Sequence, residues 1–368
     1  FTPLKLVAPL GLSYFTFASL GYAVDQYQGK YPPEKNLFRY ALFVSFFPAI
    51  VTGPIEQGDH LLPQLKAPRP FDYDRCAGGL FRMLWGYVKT MVIAEAVSPF
   101  VRQVYSHPAD YAGPYLAAAA VLFSLYLYMN FSGCCDLAIG SARILGYDLL
   151  ENFESPFLAP TFRELWRRWH MSLTGWFRRY LYIPLGGSRK GLFRHCLNLL
   201  LVFLFSGLWH GADWGYLWWG LASGLLSVAG LLWDKALKRP KTPQPVPLPL
   251  RILQVIRTDL LFSLVFVFFA CALYGSSPAM IFTGLFKGWS GALPGLASGF
   301  VAAGLDAASA RVALIGAAFV FVCEALGNVS QWVRKLPFWV RWPLYYLLCL
   351  SILFFGAFGQ SAYIYQQY

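Results

Sequence analysis

The sequence predicts an all-α integral membrane protein: a bundle of many helices, with further helices lying at the membrane interface or re-entering it. Three observations carry that reading. Hydrophobic residues make up 57% of the 368 residues and charged residues only 13%, against about 25% charged in a soluble domain. The mean hydropathy is +0.48, so a soluble globule would run out of interior before it ran out of apolar side chains. The uncharged stretches are continuous rather than alternating, the pattern of helices and not of membrane-spanning strands. A soluble enzyme and a disordered or fibrous chain are both excluded.

In chain order the uncharged intervals are 6–24, 40–55, 111–135, 195–212, 214–233, 260–286, 288–305, 312–323 and 342–368. A further stretch, 76–105, is helical in pattern but carries Arg82, Lys89, Glu95 and Arg102. About eight to ten membrane-embedded helices are expected, several too short or too polar to be simple spans. Residues 136–194 are too polar to cross a bilayer yet rich in Trp, Phe and Tyr. That mixture suits interfacial or re-entrant helices packed around a wet cavity. Residues 234–250 hold alternating prolines among cations, an extended cytoplasmic linker. The expected organisation is a core over 1–233, the linker over 234–250 and a C-terminal bundle over 251–368. No internal repeat is visible, which speaks against an inverted-repeat transporter. Walker, G-x-G-x-x-G and H-E-x-x-H motifs are absent from the sequence as well.

Charge is unevenly placed. The net charge is +12, and within 163–194 Arg163, Arg167, Arg168, Arg178, Arg179, Arg189, Lys190 and Arg194 meet one acid, Glu164. A second basic stretch holds Lys235, Lys238, Arg239 and Lys241. Cations bordering apolar spans mark cytoplasmic loops and suit lipid headgroups or an anionic substrate. They line no soluble face, so membrane lipid is an expected partner and nucleic acid is not. Cys76, Cys134, Cys135, Cys196, Cys271, Cys323 and Cys349 form no C-x-x-C pair. They are read as small buried hydrophobes rather than disulfides or metal ligands, and no metal site is expected. No signal peptide is visible and residue 1 is Phe, so the chain is expected to lack its own start.

Two histidines stand out. The segment TFRELWRRWHMSLTGWFRRYL (161–181) opens with Thr161 and Glu164 at capping-box spacing, and Pro184 and Gly186-Gly187 follow as stop signals. Read as one helix, it places Arg163, Arg167, His170, Thr174 and Arg178 in a sector of about 80°. Trp166, Trp169, Leu173, Trp176, Phe177 and Tyr180 border that stripe. The arrangement suits an anionic, partly apolar molecule, and the cations would favour a neutral imidazole. The competing reading is a surface helix whose arginines snorkel to phosphates.

His210 lies in NLLLVFLFSGLWHGADWGYLWWG (198–220), without formal charge between Arg194 and Asp213. A charged side chain at membrane depth costs about 2.5–3.5 kcal/mol, so an ionisable group there is a functional-site candidate. A buried neutral histidine suits general-base work, worth about 10²–10⁴-fold in rate. Gly207 and Gly211 beside it would leave room for a ligand, and Ser206 would orient the ring. The alternative is a structural histidine bonded to a neighbouring carbonyl. His60, His107 and His195 read as solvated or interfacial. There is no G-x-S-x-G elbow, and a two-histidine metal site lacks a third ligand at clear spacing.

WRRWHMSLTGWFRRYLYIPLGG (166–187) and FSGLWHGADW (205–214) resemble the signature segments of the membrane-bound O-acyltransferases. PLGLSYFTFASLGYAVDQYQG (9–29), SFFPAIVTGPIE (45–56) and YMNFSGCCDLAIGSARILGYDLLENFESPF (128–157) extend the resemblance over most of 9–233. The likeness is to the bacterial branch that acetylates alginate or transfers D-alanine to teichoic acid. It implies a many-helix disc hollowed from both faces around a central tunnel, in the bacterial cytoplasmic membrane. It implies His210 as the catalytic histidine and His170 at the second active-site position. It also implies an acyl thioester, acetyl-CoA or an acyl carrier protein, as co-substrate from the cytoplasm. No cofactor would be tightly bound, and an extracytoplasmic partner acyltransferase would assist. Arg179 stands where the family commonly has Asp. Relatives usually begin with additional spans, and YIYQQY follows their aromatic terminus loosely.

The expected activity is therefore O-acyl transfer. His210 would take the acceptor's proton and His170 would orient or polarise the thioester. Arg163 and Arg167 would attract the donor's phosphates, while Trp169, Trp209 and Asn130 would line the cavity. D-alanyl transfer to teichoic acid is the runner-up. A transporter would instead use a buried histidine as proton relay, and a scaffold that only recruits a partner would leave His210 dispensable.

Overall fold

A membrane-crossing helix needs about 20 apolar residues, and six helices of the computed structural model meet that requirement. The structure describes residues 11–238, 246–327 and 329–358, and no strand occurs among them. The helices that build the site are α1 (Leu12–Tyr27), α2 (Tyr73–Tyr87), α3 (Glu95–Ser106), α4 (Gly113–Ile144), α5 (Phe162–Arg168), α6 (Met171–Phe177), α7 (Gly191–His210), α8 (Trp214–Ala236), α9 (Leu248–Tyr274), α10 (Ala307–Ala325) and α11 (Phe338–Phe355). The six long enough to span are α4 and α7 to α11.

Other uncharged intervals are shorter pieces, because Gly and Pro interrupt them. Interval 40–55 divides into Leu37–Val44 and Phe47–Ile50, the second begun by Pro48. Interval 260–286 breaks at Gly275, at φ 70°, and 288–305 falls into Trp289–Ala292 and Leu296–Ala302 after Gly288, also at φ 70°. The expected eight to ten embedded helices thus reduce to six spans plus shorter helices among the described residues.

Between α2 and α3 the chain passes through a π-helical stretch, Val88–Ala94. There Lys89 is buried, its Nζ 2.5 Å from an Asp136 carboxylate oxygen, and Arg82 Nε reaches the same carboxylate at 2.9 Å. Asp136 stands on α4, whose 32 residues rise about 48 Å and whose apolar window is 72% buried. Residues 136–144, expected at the interface, are therefore the last turns of this central helix. Their charges are tolerated because cations meet them inside.

α7 and α8 form a hairpin through Gly211–Asp213, with Asp213 Oδ1 accepting from Gly215 N at 2.7 Å. A Cβ on Gly215 would come 2.7 Å from Phe268 O, so the start of α8 abuts the end of α9. The start of α7, the end of α8 and the start of α9 consequently share one end of the bundle. Arg189, Lys190, Arg194, Lys235, Lys238 and Arg251 gather there, forming a basic face.

The linker is shorter than 234–250, since α8 continues to Ala236 and α9 begins at Leu248; residues 239–245, with Arg239 and Lys241, lie outside the described residues. Nor does it separate two bundles. Rings from α9 enter the front core: Phe262 lies 4.9 Å from Trp169 and Phe269 4.9 Å from His210, centroid to centroid. The cysteines divide as well. Cys134, Cys135, Cys271 and Cys323 are buried, Cys76 and Cys196 are half-buried, and Cys349 is exposed. Cys349 sits on α11, a peripheral helix, where lipid replaces protein as the apolar surroundings.

Candidate active site

The segment predicted as one helix over 161–181 is cut at His170. Thr161 Oγ1 accepts from Glu164 N at 3.2 Å, as the capping spacing predicts, but the Glu164 carboxylate turns to Arg168. Trp169 is extended, and His170 sits at φ 44°, ψ 53°, a left-handed conformation costly to a residue with a Cβ. The cause lies at 152–154. Asn152 O accepts from Met171 N at 2.9 Å, and Glu154 N donates to Arg168 O at 3.1 Å. Asn152 Oδ1 accepts from Ser172 N at 3.1 Å. Groups that a continuous helix would pair internally are thus claimed from outside, and the cationic stripe does not form.

His170 is turned inward, 3% exposed. Its ring meets Phe131 edge-on with centroids 4.8 Å apart, and Trp209 at 6.1 Å. Nδ1 lies 3.4 Å from Asn152 Oδ1, while Nε2 is buried without a hydrogen-bond partner among the described residues. Burial, and after it the neighbouring His210, push its pKa well below the ordinary histidine value. The imidazole is neutral through desolvation rather than through the cations the helical stripe suggested.

Asn152, which sequence reasoning passed over, is completely buried. Besides its contacts to 170–172, it accepts from Ser172 Oγ at 2.6 Å and donates from Nδ2 to Cys135 Sγ at 3.2 Å. The available signal was an amide inside a segment that carries the family resemblance, 128–157.

His210 is the last residue of the α7 span, and Gly211 follows at φ 151°. The imidazole is 5% exposed and enclosed by Trp209 at 4.6 Å, Phe269 at 4.9 Å, Trp219 at 5.2 Å and Tyr216 at 6.1 Å. Gly207, expected to leave room for a ligand, instead lets α8 approach: a Cβ there would collide with the Tyr216 carbonyl. The glycine serves the hairpin seam.

Two hollows lie near the histidines, and the smaller reaches this ring cluster. The smaller, about 20 Å³, is walled by Leu12, Ser13, Tyr14, Val51, Trp209 and His210. The larger, about 990 Å³ and open to the outside, has among its lining Leu248 and Arg251 of the basic face and also Asn152 and Met171, neighbours of His170. They share no lining residue. His170 lines neither, but it neighbours one residue of each: Asn152 of the larger, 3.4 Å from Nδ1, and Trp209 of the smaller, with ring centroids 6.1 Å apart. In place of the continuous tunnel expected from the family resemblance, these are two hollows with separate linings.

Trp209 therefore borders a cavity as expected, whereas Trp169 does not line either hollow; it packs among Phe262 and Phe153, with centroids at 4.9 and 5.1 Å. Asn130 is buried beside Phe131, its Nδ2 unpartnered among the described residues, and it is likewise absent from both linings. Arg163 is held by Asp234 at 2.6 Å and Arg167 is exposed, and neither lines the larger hollow. The helix break puts Arg168 there instead, with Arg82, Lys89 and Arg251. Arg179 lies 2.9 Å from both Asp25 and Asp59, a clamp at the position that commonly holds Asp in the family.

The chain is 36% identical over 250 residues to a probable alginate O-acetylase, AlgI, of Azotobacter vinelandii, covering 67% of this chain and 49% of that protein. It is 35% identical over 251 residues to the peptidoglycan O-acetyltransferase of Helicobacter pylori, covering 61% and 48%. It is 28% identical over 250 residues to the teichoic acid D-alanyltransferase of Bacillus subtilis, covering 65% and 63%. The chain spans about half the length of the acetylating relatives it matches. The family model described as MBOAT, membrane-bound O-acyltransferase family, matches residues 23–271, more than half of the chain. The chain belongs to the membrane-bound O-acyltransferase family.

Proposed function

We propose that this chain carries the core of a membrane O-acyltransferase that moves an acetyl group from a thioester at the basic face to a hydroxyl on the opposite side. The observation that supports it is a pair of hollows beside the two histidines: Trp209 and His210 line the smaller, and Asn152, whose Oδ1 lies 3.4 Å from His170 Nδ1, lines the larger. The basic face is read as cytoplasmic, because Lys and Arg are retained on that side, in the cytoplasmic membrane of a bacterium. The donor, acetyl-CoA or an acyl carrier protein, extends its thioester arm down the larger hollow. The acceptor, a hydroxyl of a cell-surface polysaccharide, enters the smaller one, where an extracytoplasmic partner acyltransferase would meet it. The oxygen attacks the thioester carbonyl, an imidazole takes its proton, the C–S bond breaks and the thiol leaves. In this reading His210 or His170 takes that proton. The alginate and peptidoglycan relatives support acetyl and polysaccharide as the chemistry.

The Bacillus subtilis relative favours a second reading, transfer of D-alanine from a carrier protein to teichoic acid. Charge in the larger hollow is largely paired, Arg82 and Lys89 against Asp136 and Glu151, which suits a neutral arm whose carrier stays outside. The experiment uses the full-length protein in membranes, with labelled acetyl-CoA or an aminoacylated carrier protein as donor. His210→Ala and His170→Ala are compared with wild type at equal protein level. Wild-type transfer in either variant removes that residue from the mechanism. Transfer from the carrier alone establishes the second reading, and solute flux without covalent transfer sinks both.

A further inference from the structure

The hydrogen bonds around His170 have directions set by the backbone. Ile55 N donates to Ser172 Oγ at 2.9 Å, and Ser172 Oγ donates its own hydrogen to Asn152 Oδ1 at 2.6 Å. Ser172 N donates to the same atom at 3.1 Å. An amide nitrogen in that place could not accept from it, so the oxygen end of Asn152 is turned toward 170–172. The nitrogen end faces Cys135 Sγ at 3.2 Å. An amide oxygen only accepts, and His170 Nδ1 lies 3.4 Å from it; the ring hydrogen therefore belongs on Nδ1. A neutral imidazole protonated there has its lone pair on Nε2, and Nε2 is the buried atom without a partner among the described residues.

We infer that Asn152 is a positioning residue that fixes the tautomer of His170, so that Nε2 enters the reaction as a proton acceptor. This rests on the proposed acyl transfer, and it differs from the expected role in which His170 orients or polarises the thioester. The step balances. The acceptor's O–H bond breaks and its proton passes to Nε2. The O–C bond forms, the C–S bond breaks, and the departing sulfur receives that proton.

The groups around His170 leave this assignment undisturbed. His210 on α7 is the titratable group whose charge acts on it. Phe131 from α4 and Trp209 from α7 are uncharged, and Cys135 lies beyond the Asn152 amide.

The test combines kinetics with nitrogen NMR of the full chain. Asn152→Asp keeps an acceptor at Nδ1 but adds a negative charge that favours imidazolium. The acidic limb of its kcat profile should then move about 1–3 pH units upward. Asn152→Leu frees the tautomer and should lower kcat about 10²-fold or more, with KM for the thioester little changed. A merely structural Asn152 would lower the amount of folded protein in both variants without moving the limb. Isotope-labelled histidine in the wild-type protein, with His170 assigned by its loss in His170→Gln, reports the tautomer without activity, even if the Asn152 variants do not fold. Hydrogen on Nδ1 supports the inference; hydrogen on Nε2, or an unmoved limb in Asn152→Asp, overturns it. A wild-type protein that transfers no acyl group sinks the functional reading instead, and the tautomer measurement still stands.

Discussion

Gly86 and Gly133 meet back to back where α2 crosses α4. A Cβ on Gly86 would lie 2.6 Å from Gly133 O, and one on Gly133 would lie 2.7 Å from Gly86 O. Seven residues away the contact repeats between Gly79 and Gly140, at 2.7 Å in both directions. Backbones approach this closely in membranes only where side chains are absent. The seam sets Arg82, between the two glycines of α2, against Asp136, between the two of α4, and so builds one wall of the larger hollow.

That seam should be intolerant of any side chain. Gly133→Leu forces the two backbones apart at a cost of about 1–3 kcal/mol, seen as a lower midpoint of thermal unfolding in detergent. Gly175→Ala, with nothing within 4 Å of its added Cβ, should leave the midpoint unchanged or slightly raised. Equal behaviour of the two variants would refute the close-approach account.

The Lys89–Asp136 pair predicts strong coupling. Both side chains are buried, and Arg82 shares the carboxylate. Removing one partner, as in Lys89→Ala or Asp136→Ala, strands a buried charge and should cost about 3–5 kcal/mol. The double change Lys89→Met with Asp136→Leu should cost less than the sum of the singles. A double-mutant cycle on unfolding midpoints measures this, and additive values would exclude the coupling.

His60 gives a pH dependence. Its Nδ1 lies 2.7 Å from Glu56 Oε2. That hydrogen bond raises its pKa, with burial opposing and the charges of Glu56, Asp148 and Asp59 assisting. A raised folded-state value means stability that is fully present below the unfolded value of about 6.5 and lost as pH rises through the raised one. The unfolding midpoint of wild type should exceed that of His60→Ala most near pH 6, and the gap should close at alkaline pH. A gap independent of pH would show that the ion pair contributes nothing.

Arg163 and Arg167, which the helical pattern puts on one stripe, should separate. Arg163 is committed to Asp234 at a half-exposed site, so Arg163→Ala should cost at most about 1 kcal/mol of stability and leave transfer kinetics alone. Arg167 is exposed on the basic face. On the proposed function, Arg167→Ala should raise KM for a phosphate-bearing donor at low salt, an effect that fades as salt screens it. KM values of both variants at two ionic strengths decide the matter.

Membrane location and the helical class were legible in the residue order, because the free energy of placing a helix in lipid sums over its own side chains. So was the start at Thr161, whose hydroxyl needs only a backbone three residues away. His170 and His210 were legible as unusual residues, and the motifs around them as a family resemblance. The break at His170 was not, since it depends on Asn152, an amide 18 residues earlier that takes over the backbone donors of Met171 and Ser172. The partners of the arginines were hidden for the same reason: Asp234 is 71 residues from Arg163, and Asp25 is joined to Arg179 only by the docking of α1. Periodicity along one helix describes which face is apolar. Where helices cross, and which buried donor then finds which acceptor, is settled by packing between segments far apart in the chain, and that information exists only in three dimensions.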